Sequence, residues 1–176
     1  EHFYTYDKLM TPGIGMVRRS LDGGLNWQSY DASMDWKIEN PIYQYHLNSI
    51  CTAPDEEYSY LFTVGNHATI LRTDNGGESW YPPDATDFDR TDNLNSVYFT
   101  SRNNGYAVGD KGFFIKADNK GRNWYLKNSF TNKNLNSIFL IDSINAAVCG
   151  DRGSIFISND ACNNWAQKHS SNSYNL

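Results

Sequence analysis

One eight-residue turn recurs four times along this chain, and every copy ends in tryptophan. The copies are SLDGGLNW from Ser20 to Trp27, TDNGGESW from Thr73 to Trp80, ADNKGRNW from Ala117 to Trp124 and SNDACNNW from Ser158 to Trp165. A second signature keeps step with the first: LNSI from Leu47, LNSV from Leu94 and LNSI from Leu135. A third lies between them: VGNHATI from Val64, VGDKGFF from Val108 and CGDRGSI from Cys149. Leu94 and Leu135 stand 41 positions apart, as do Trp124 and Trp165. A period of about 40–45 residues with strand-like content is that of a propeller blade.

Each repeat reads as four strands. In the last one, LNSIFLI is an apolar run ending at Asp142-Ser143, followed by Ala146 to Cys149, the tight turn Gly150-Asp151-Arg152-Gly153, and Ser154 to Ser158. Trp165 then opens a fourth, more polar strand. Short Val, Ile and Phe runs separated by Gly, Asn and Asp predict an all-β chain. Several runs are continuously apolar rather than alternating, which fits sheets covered on both faces. The expected architecture is a β-propeller segment of about four antiparallel four-stranded blades. The repeats run approximately over 1–46, 47–93, 94–134 and 135–176, within one core-bearing domain.

The turn has a physical logic. The side chains of Asp22, Asn75, Asn119 and Asp160 are placed to accept backbone N–H groups of their own turns. Gly24, Gly77 and Gly121 follow two residues later, where a positive φ is easiest without a Cβ. Trp27, Trp80, Trp124 and Trp165 then cover apolar surface at the start of the outer strand. These are structural roles, and they occupy the carboxylates.

The S-x-D-x-G-x-x-W turn resembles the Asp-box, or BNR repeat, of sialidases, sortilin-type receptors and related propellers. The fuller pattern, LNSI followed by GYAVGDKGFFIKADNKGRNW, is similar to the photosystem II assembly and stability factor propellers, from about Gly13 onward. The resemblance implies a propeller that serves as an assembly scaffold, usually in a secreted, periplasmic or lumenal compartment, and photosynthetic complexes as clients where the source organism has them. The chain departs from the pattern at Ala117, Asn75, Asn119 and Cys162.

The first repeat lacks an LNS strand ahead of its turn, and Leu176 falls 41 positions after Leu135, where another LNSI is due. The expected form is an open arc or a ring closed by further blades of the same or another chain, with a complete four-bladed ring as the second choice. The stretch from His2 to Met10 is expected to supply an inner-to-middle strand of the first blade. Unless its edges are covered, such an arc should self-associate or be unstable.

A net charge of −5 gives no global attraction to nucleic acid. No apolar run approaches the roughly 20 residues of a membrane span. Cys149 and Cys162 lie at opposite ends of one strand, too far apart for a disulfide, and Cys51 has no obvious partner. The histidines, His2, His46, His67 and His169, are scattered without metal-ligand spacing, so neither a metal nor another cofactor is expected.

Sialidase-like glycoside hydrolysis would need an arginine cluster, an acid and a Tyr–Glu nucleophile pair. No Arg-Ile-Pro segment precedes the first turn, and the arginines fall mostly at repeat-equivalent surface positions. The expected function is therefore non-catalytic: a scaffold for a protein partner. A glycan-binding or glycan-cleaving module and a structural subunit of a larger extracellular assembly are the alternatives. Up-and-down topology puts Asn66-His67, Asp110-Lys111 and Asp151-Arg152 on one rim with the LNS starts, and the Asp-boxes on the other. These six residues are the candidate binding positions, with Lys111 and Arg152 the freer ones because the turn does not need their charge. The longest departure from the repeat, Tyr81 to Asn93, reads as an interaction loop or a solvated linker. Its prolines should stop further pairing.

Overall fold

The computed structural model describes residues 9–12, 16–20, 22, 24–31, 46–54 and 60–168. The segments around His2, His169 and Leu176 lie outside them, and with them the expectations about how the chain's ends pair. The first sheet holds β1 (Leu9–Pro12), β2 (Met16–Ser20) and β3 (Gln28–Asp31). The second holds β4 (Leu47–Thr52), β5 (Leu61–Gly65) and β6 (Ile70–Thr73), and Tyr81 adds a single antiparallel bridge to Arg72. Next come β7 (Ala85–Thr86), β8 (Leu94–Ser101), β9 (Asn104–Gly109), β10 (Phe114–Asp118) and β11 (Asn123–Leu126), in the order β7-β11-β10-β9-β8. The last sheet is β12 (Leu135–Leu140), β13 (Ala146–Gly150), β14 (Ser154–Ser158) and β15 (Ala166–Lys168) in chain order. Among the described residues the only helical pieces are three-residue 3-10 turns such as Asp110–Gly112. The fold is all-β, a propeller segment whose sheets meander antiparallel within each blade.

The apolar cores lie between consecutive sheets. Phe62 of β5 stacks on Phe99 of β8 with ring centroids 3.7 Å apart and planes 8° apart, and Trp124 meets Phe99 edge-on. Between the third and fourth sheets, Phe114 and Phe130 pack against Trp165 and Phe156. Every residue of β5 is buried, as the continuous apolar run requires of a strand covered on both faces. Gly109 ends β9 with extended backbone, and its hydrogen is needed for a different reason. A Cβ there would stand 1.9 Å from the Asn93 carbonyl oxygen, and Gly65 meets the His46 carbonyl in the same way.

The Tyr81 to Asn93 segment corrects one expectation. Pro82 and Pro83 do end pairing within the second sheet, yet Ala85 and Thr86 immediately pair in parallel with Asn123 and Trp124 of the third. The segment is a strap across the blade boundary. Asp84 sits between Arg72 of the second blade and Arg122 of the third, 3.1 Å from each. Asp87 accepts the Leu126 N–H, and Phe88 packs edge-on against Phe113.

Candidate binding rim

The LNS signature is a staple between blades. Leu47, Leu94 and Leu135 are buried. The next residue reaches along the rim: Asn95 Nδ2 donates to Asp110 Oδ1 at 2.9 Å and to the Leu135 carbonyl of the following blade at 3.0 Å. Asn48 repeats this with Asn66 Oδ1 at 3.0 Å and the Leu94 carbonyl at 2.9 Å. Asn136 donates to Asp151 Oδ1 at 3.4 Å. The serine completes the staple, because Ser49 Oγ accepts the Val97 N–H and Ser96 Oγ accepts the Ile138 N–H, each from the next blade.

The candidate positions Asn66, Asp110 and Asp151 thus share one rim with the strand starts. Their backbone N–H groups donate to the carbonyls of His46, Asn93 and Asn134. Asp110 also accepts Asn93 Nδ2, so its carboxylate is bonded to two asparagines. His67, Lys111 and Arg152 occupy the tips, all left-handed, with φ of 54°, 51° and 57°. The backbones of the first two are held by residues that lead into the next blades: Asn93 Oδ1 accepts the His67 N–H and Asn134 Oδ1 accepts the Lys111 N–H. All three residues are exposed.

Lys111 is less free than its place in the turn suggests. Its Nζ lies 2.9 Å from Asp92 Oδ1, while Arg90 holds the other carboxylate oxygen at 2.8 Å and lies over the Phe113 ring. Lys111 first and Arg90 second hold the Asp92 carboxyl below the usual carboxylate range. The strap supplies both Arg90 and Asp92, so the rim partner of Lys111 comes from a loop whose course the repeat does not encode. The sequence placed the LNS starts on this rim but did not reveal that Asn48, Asn95, Ser49 and Ser96 bond across to the next blade, although their periodic recurrence in LNS carried the signal.

The Asp-boxes lie at the other ends of the strands. Ser20 Oγ donates to Asp22 and accepts the Gly24 N–H, and Asp22 accepts the Asn26 N–H at 2.8 Å. Thr73 and Asn75 do the same with Gly77 and Ser79, as do Ser158 and Asp160 with Cys162 and Asn164. Gly24 and Gly77 have positive φ, and Cys162 adopts φ 63° in the position of their glycine. These donated N–H groups, Asn26 foremost for Asp22 and Asn164 for Asp160, hold both carboxyls below their ordinary pKa. The third box departs. Ala117 has no hydroxyl to join the turn, and Asn119 itself turns left-handed at φ 47°. Among the described residues its backbone carbonyl accepts the Arg122 N–H and its side chain accepts no turn N–H, unlike the role expected for Asn119. Gly121 keeps a role, because a Cβ there would enter the Phe62 ring at 2.1 Å. Trp124 and Trp80 are buried, whereas Trp27 is 40 % exposed and covers less than expected.

Burial pushes the Cys51 thiol up strongly and the Cys162 thiol to about 11, so neither is a ready thiolate. Among the described residues no three His, Cys, Asp or Glu side chains converge on a point, and no helix is long and apolar enough to cross a membrane.

Fold and rim together define an Asp-box β-propeller segment whose blades are joined by asparagine staples. The family model of photosynthesis system II assembly factor YCF48 matches residues 32–173, and the chain belongs to that family. The chloroplastic photosystem II stability/assembly factor HCF136 of Oryza sativa subsp. japonica is 33% identical over 81 residues, 44% of this chain and 19% of that protein. Among solved structures, YCF48 bound to D1 peptide superposes with a TM-score of 0.63 at 20% identity, covering 74% of this chain and 43% of that one. YCF48 from Cyanidioschyzon merolae gives 0.58 at 18% identity, covering 69% and 39%. An ancestral GH74 enzyme gives 0.68 at 16% identity over 94% of this chain and 23% of its own, a likeness of fold alone. The chain spans less than half the length of each of these relatives.

Proposed function

We propose that this chain is a non-catalytic assembly scaffold that binds a protein partner through the rim bearing His67, Lys111 and Arg152. The observation that carries the reading is the division of labour at that rim. Inter-blade staples hold the turn backbones at fixed spacing, while the tip residues are exposed. Pre-organisation of this kind lowers the ordering cost of binding. The Lys111 side chain is 75% exposed while its partner Asp92 is 20% exposed, so a partner carboxylate reaches the ammonium from the solvent side. Asp110 and Asp151 are already acceptors for staple asparagines, which argues against a glycosidase-like role for these carboxylates. Membership of the YCF48 family, and a relative solved with D1 peptide, make a photosystem II polypeptide the first partner to test.

The test is fluorescence polarisation with labelled peptides tiling D1. Binding is expected, with affinity falling about tenfold, near 1.4 kcal/mol, for each of Lys111→Glu and Arg152→Glu, and falling again as salt is raised. Absence of binding by any D1 peptide, or binding indifferent to both substitutions in a folded chain, would sink the proposal.

A further inference from the structure

The second Asp-box carries Asn75 where the first and fourth carry Asp22 and Asp160, and Asn75 is followed by glycine. We propose that Asn75–Gly76 is a site of spontaneous deamidation, which converts this box to the aspartate form of the first and fourth. The Gly76 amide nitrogen, losing its proton to hydroxide, attacks Asn75 Cγ. A carbon–nitrogen bond closes a succinimide ring as ammonia leaves, and water then opens either ring carbonyl to give aspartate or iso-aspartate. Only solvent is consumed.

The local structure favours each part of that step. Asn75 is exposed, and its Oδ1 accepts from the Thr73 hydroxyl at 2.8 Å and the Ser79 N–H at 3.0 Å. Two donors on that oxygen draw electron density from Cγ and stabilise negative charge developing on it. Among the described residues nothing accepts a hydrogen bond from Asn75 Nδ2, the leaving nitrogen, or from the Gly76 N–H, the attacking one. The equivalent amides of the later boxes are both held: Lys120 N–H by Asn103 Oδ1 at 3.1 Å, and Ala161 N–H by the Ile144 carbonyl at 2.9 Å. Beyond the flanking residues Asn75 and Gly77, no heavy atom lies within 4 Å of where a Cβ on Gly76 would stand, so no other part of the fold shields the nitrogen from that side.

The chain contains its own control. Asn104–Gly105 is also an Asn-Gly pair, but Gly105 is buried in the ladder of β9 with the Phe99 ring against it, and Asn104 Nδ2 donates to Thr100 Oγ1 at 2.8 Å. The aspartate product suits the second box, because a carboxylate takes the Ser79 N–H as Asp22 takes that of Asn26, and charge-assisted bonds are the stronger ones. The iso-aspartate product adds a backbone methylene inside a turn of fixed span and disrupts it.

The purified chain is incubated warm at mildly alkaline pH, and peptides are mapped by mass spectrometry over time. The Asn75 peptide is expected to gain aspartate and iso-aspartate roughly tenfold faster than the Asn104 peptide, the rate effect of about one hydrogen bond removed from the barrier. Gly76→Ala, which sets a methyl group beside the attacking nitrogen, should slow the gain, and Asn75→Asp should melt at or above the wild-type temperature. Equal rates at the two pairs, or faster conversion at Asn104, would overturn the site. An Asn75→Asp chain that melts below wild type would overturn the claim that the product fits.

Discussion

Asn95→Ala removes one staple and leaves both blades' cores untouched. The substitution deletes a bond to the Asp110 carboxylate, a charged acceptor of the kind worth about 1.5–3 kcal/mol, and one to the Leu135 carbonyl, worth about 0.5–1.5 kcal/mol. Because Asn95 is only half-buried, water re-solvates part of what is lost, and about 2–3 kcal/mol is the expected destabilisation. Against a typical total of about 5–15 kcal/mol, that is a large fraction for one polar side chain. Asn48→Ala is the matched comparison. It breaks the same two bonds, but Asn48 is exposed and its side-chain acceptor, Asn66, is neutral, so about 1 kcal/mol is expected. Urea unfolding followed by tryptophan fluorescence reads both, with the midpoint moving and the slope unchanged. A double-mutant cycle with Asp110→Ala should return a coupling of about 1–2 kcal/mol. Additivity within about 0.5 kcal/mol, or Asn48→Ala as costly as Asn95→Ala, would refute the staple's assigned strength.

Ala68 sits left-handed at φ 54° where the equivalent turns have Gly112 and Gly153, so Ala68→Gly should stabilise by about 0.5–1 kcal/mol, the steric relief exceeding the entropy of the added glycine. A lowered melting temperature would count against that turn geometry. Asp22, Asp92 and Asp160 all have folded-state pKa values below the ordinary one. Their stabilisation is therefore present above the unfolded value of about 3.9 and is lost as pH falls through the lower folded values. Melting temperature should drop on the acid side of about pH 4, and Asp92→Asn should flatten that drop; an acid limb unchanged by the substitution would remove Asp92 from the account.

The blade repeat was legible because its signatures perform backbone chemistry, and backbone chemistry is the same in every copy. A hydroxyl and a carboxylate or amide at Ser20–Asp22, Thr73–Asn75 and Ser158–Asp160 close the same turn, so spacing alone announces it. Where the copy changed, the inference weakened: Ala117 removed the hydroxyl, and the third box closed by a different set of bonds. The strap was read as an interruption because two prolines deny pairing to their own sheet, but a neighbouring sheet offers an open outer edge at β11. The Lys111–Asp92 pair and the exposure of Trp27 depend on which surfaces meet in space, which a local motif does not record.

The staples also tie the candidate rim to the folding of the stack. Asn95 binds a carbonyl 40 residues away and Ser96 accepts an amide 42 residues away, so neither bond exists within a single repeat. The Phe62–Phe99 stack and the Ala85–Thr86 strap cross the same kind of boundary. A blade alone therefore keeps its ladder but lacks the contacts that fix its turn tips, and stability accrues at nearest-neighbour interfaces. The His67 and Lys111 amides are held by Asn93 and Asn134, the residues that lead directly into β8 and β12, so the tips take their fixed positions only when those strands of the following blades dock. A rim assembled in this way presents its side chains in register only on docked blades, so partner binding at this rim, as proposed above, would depend on blade docking.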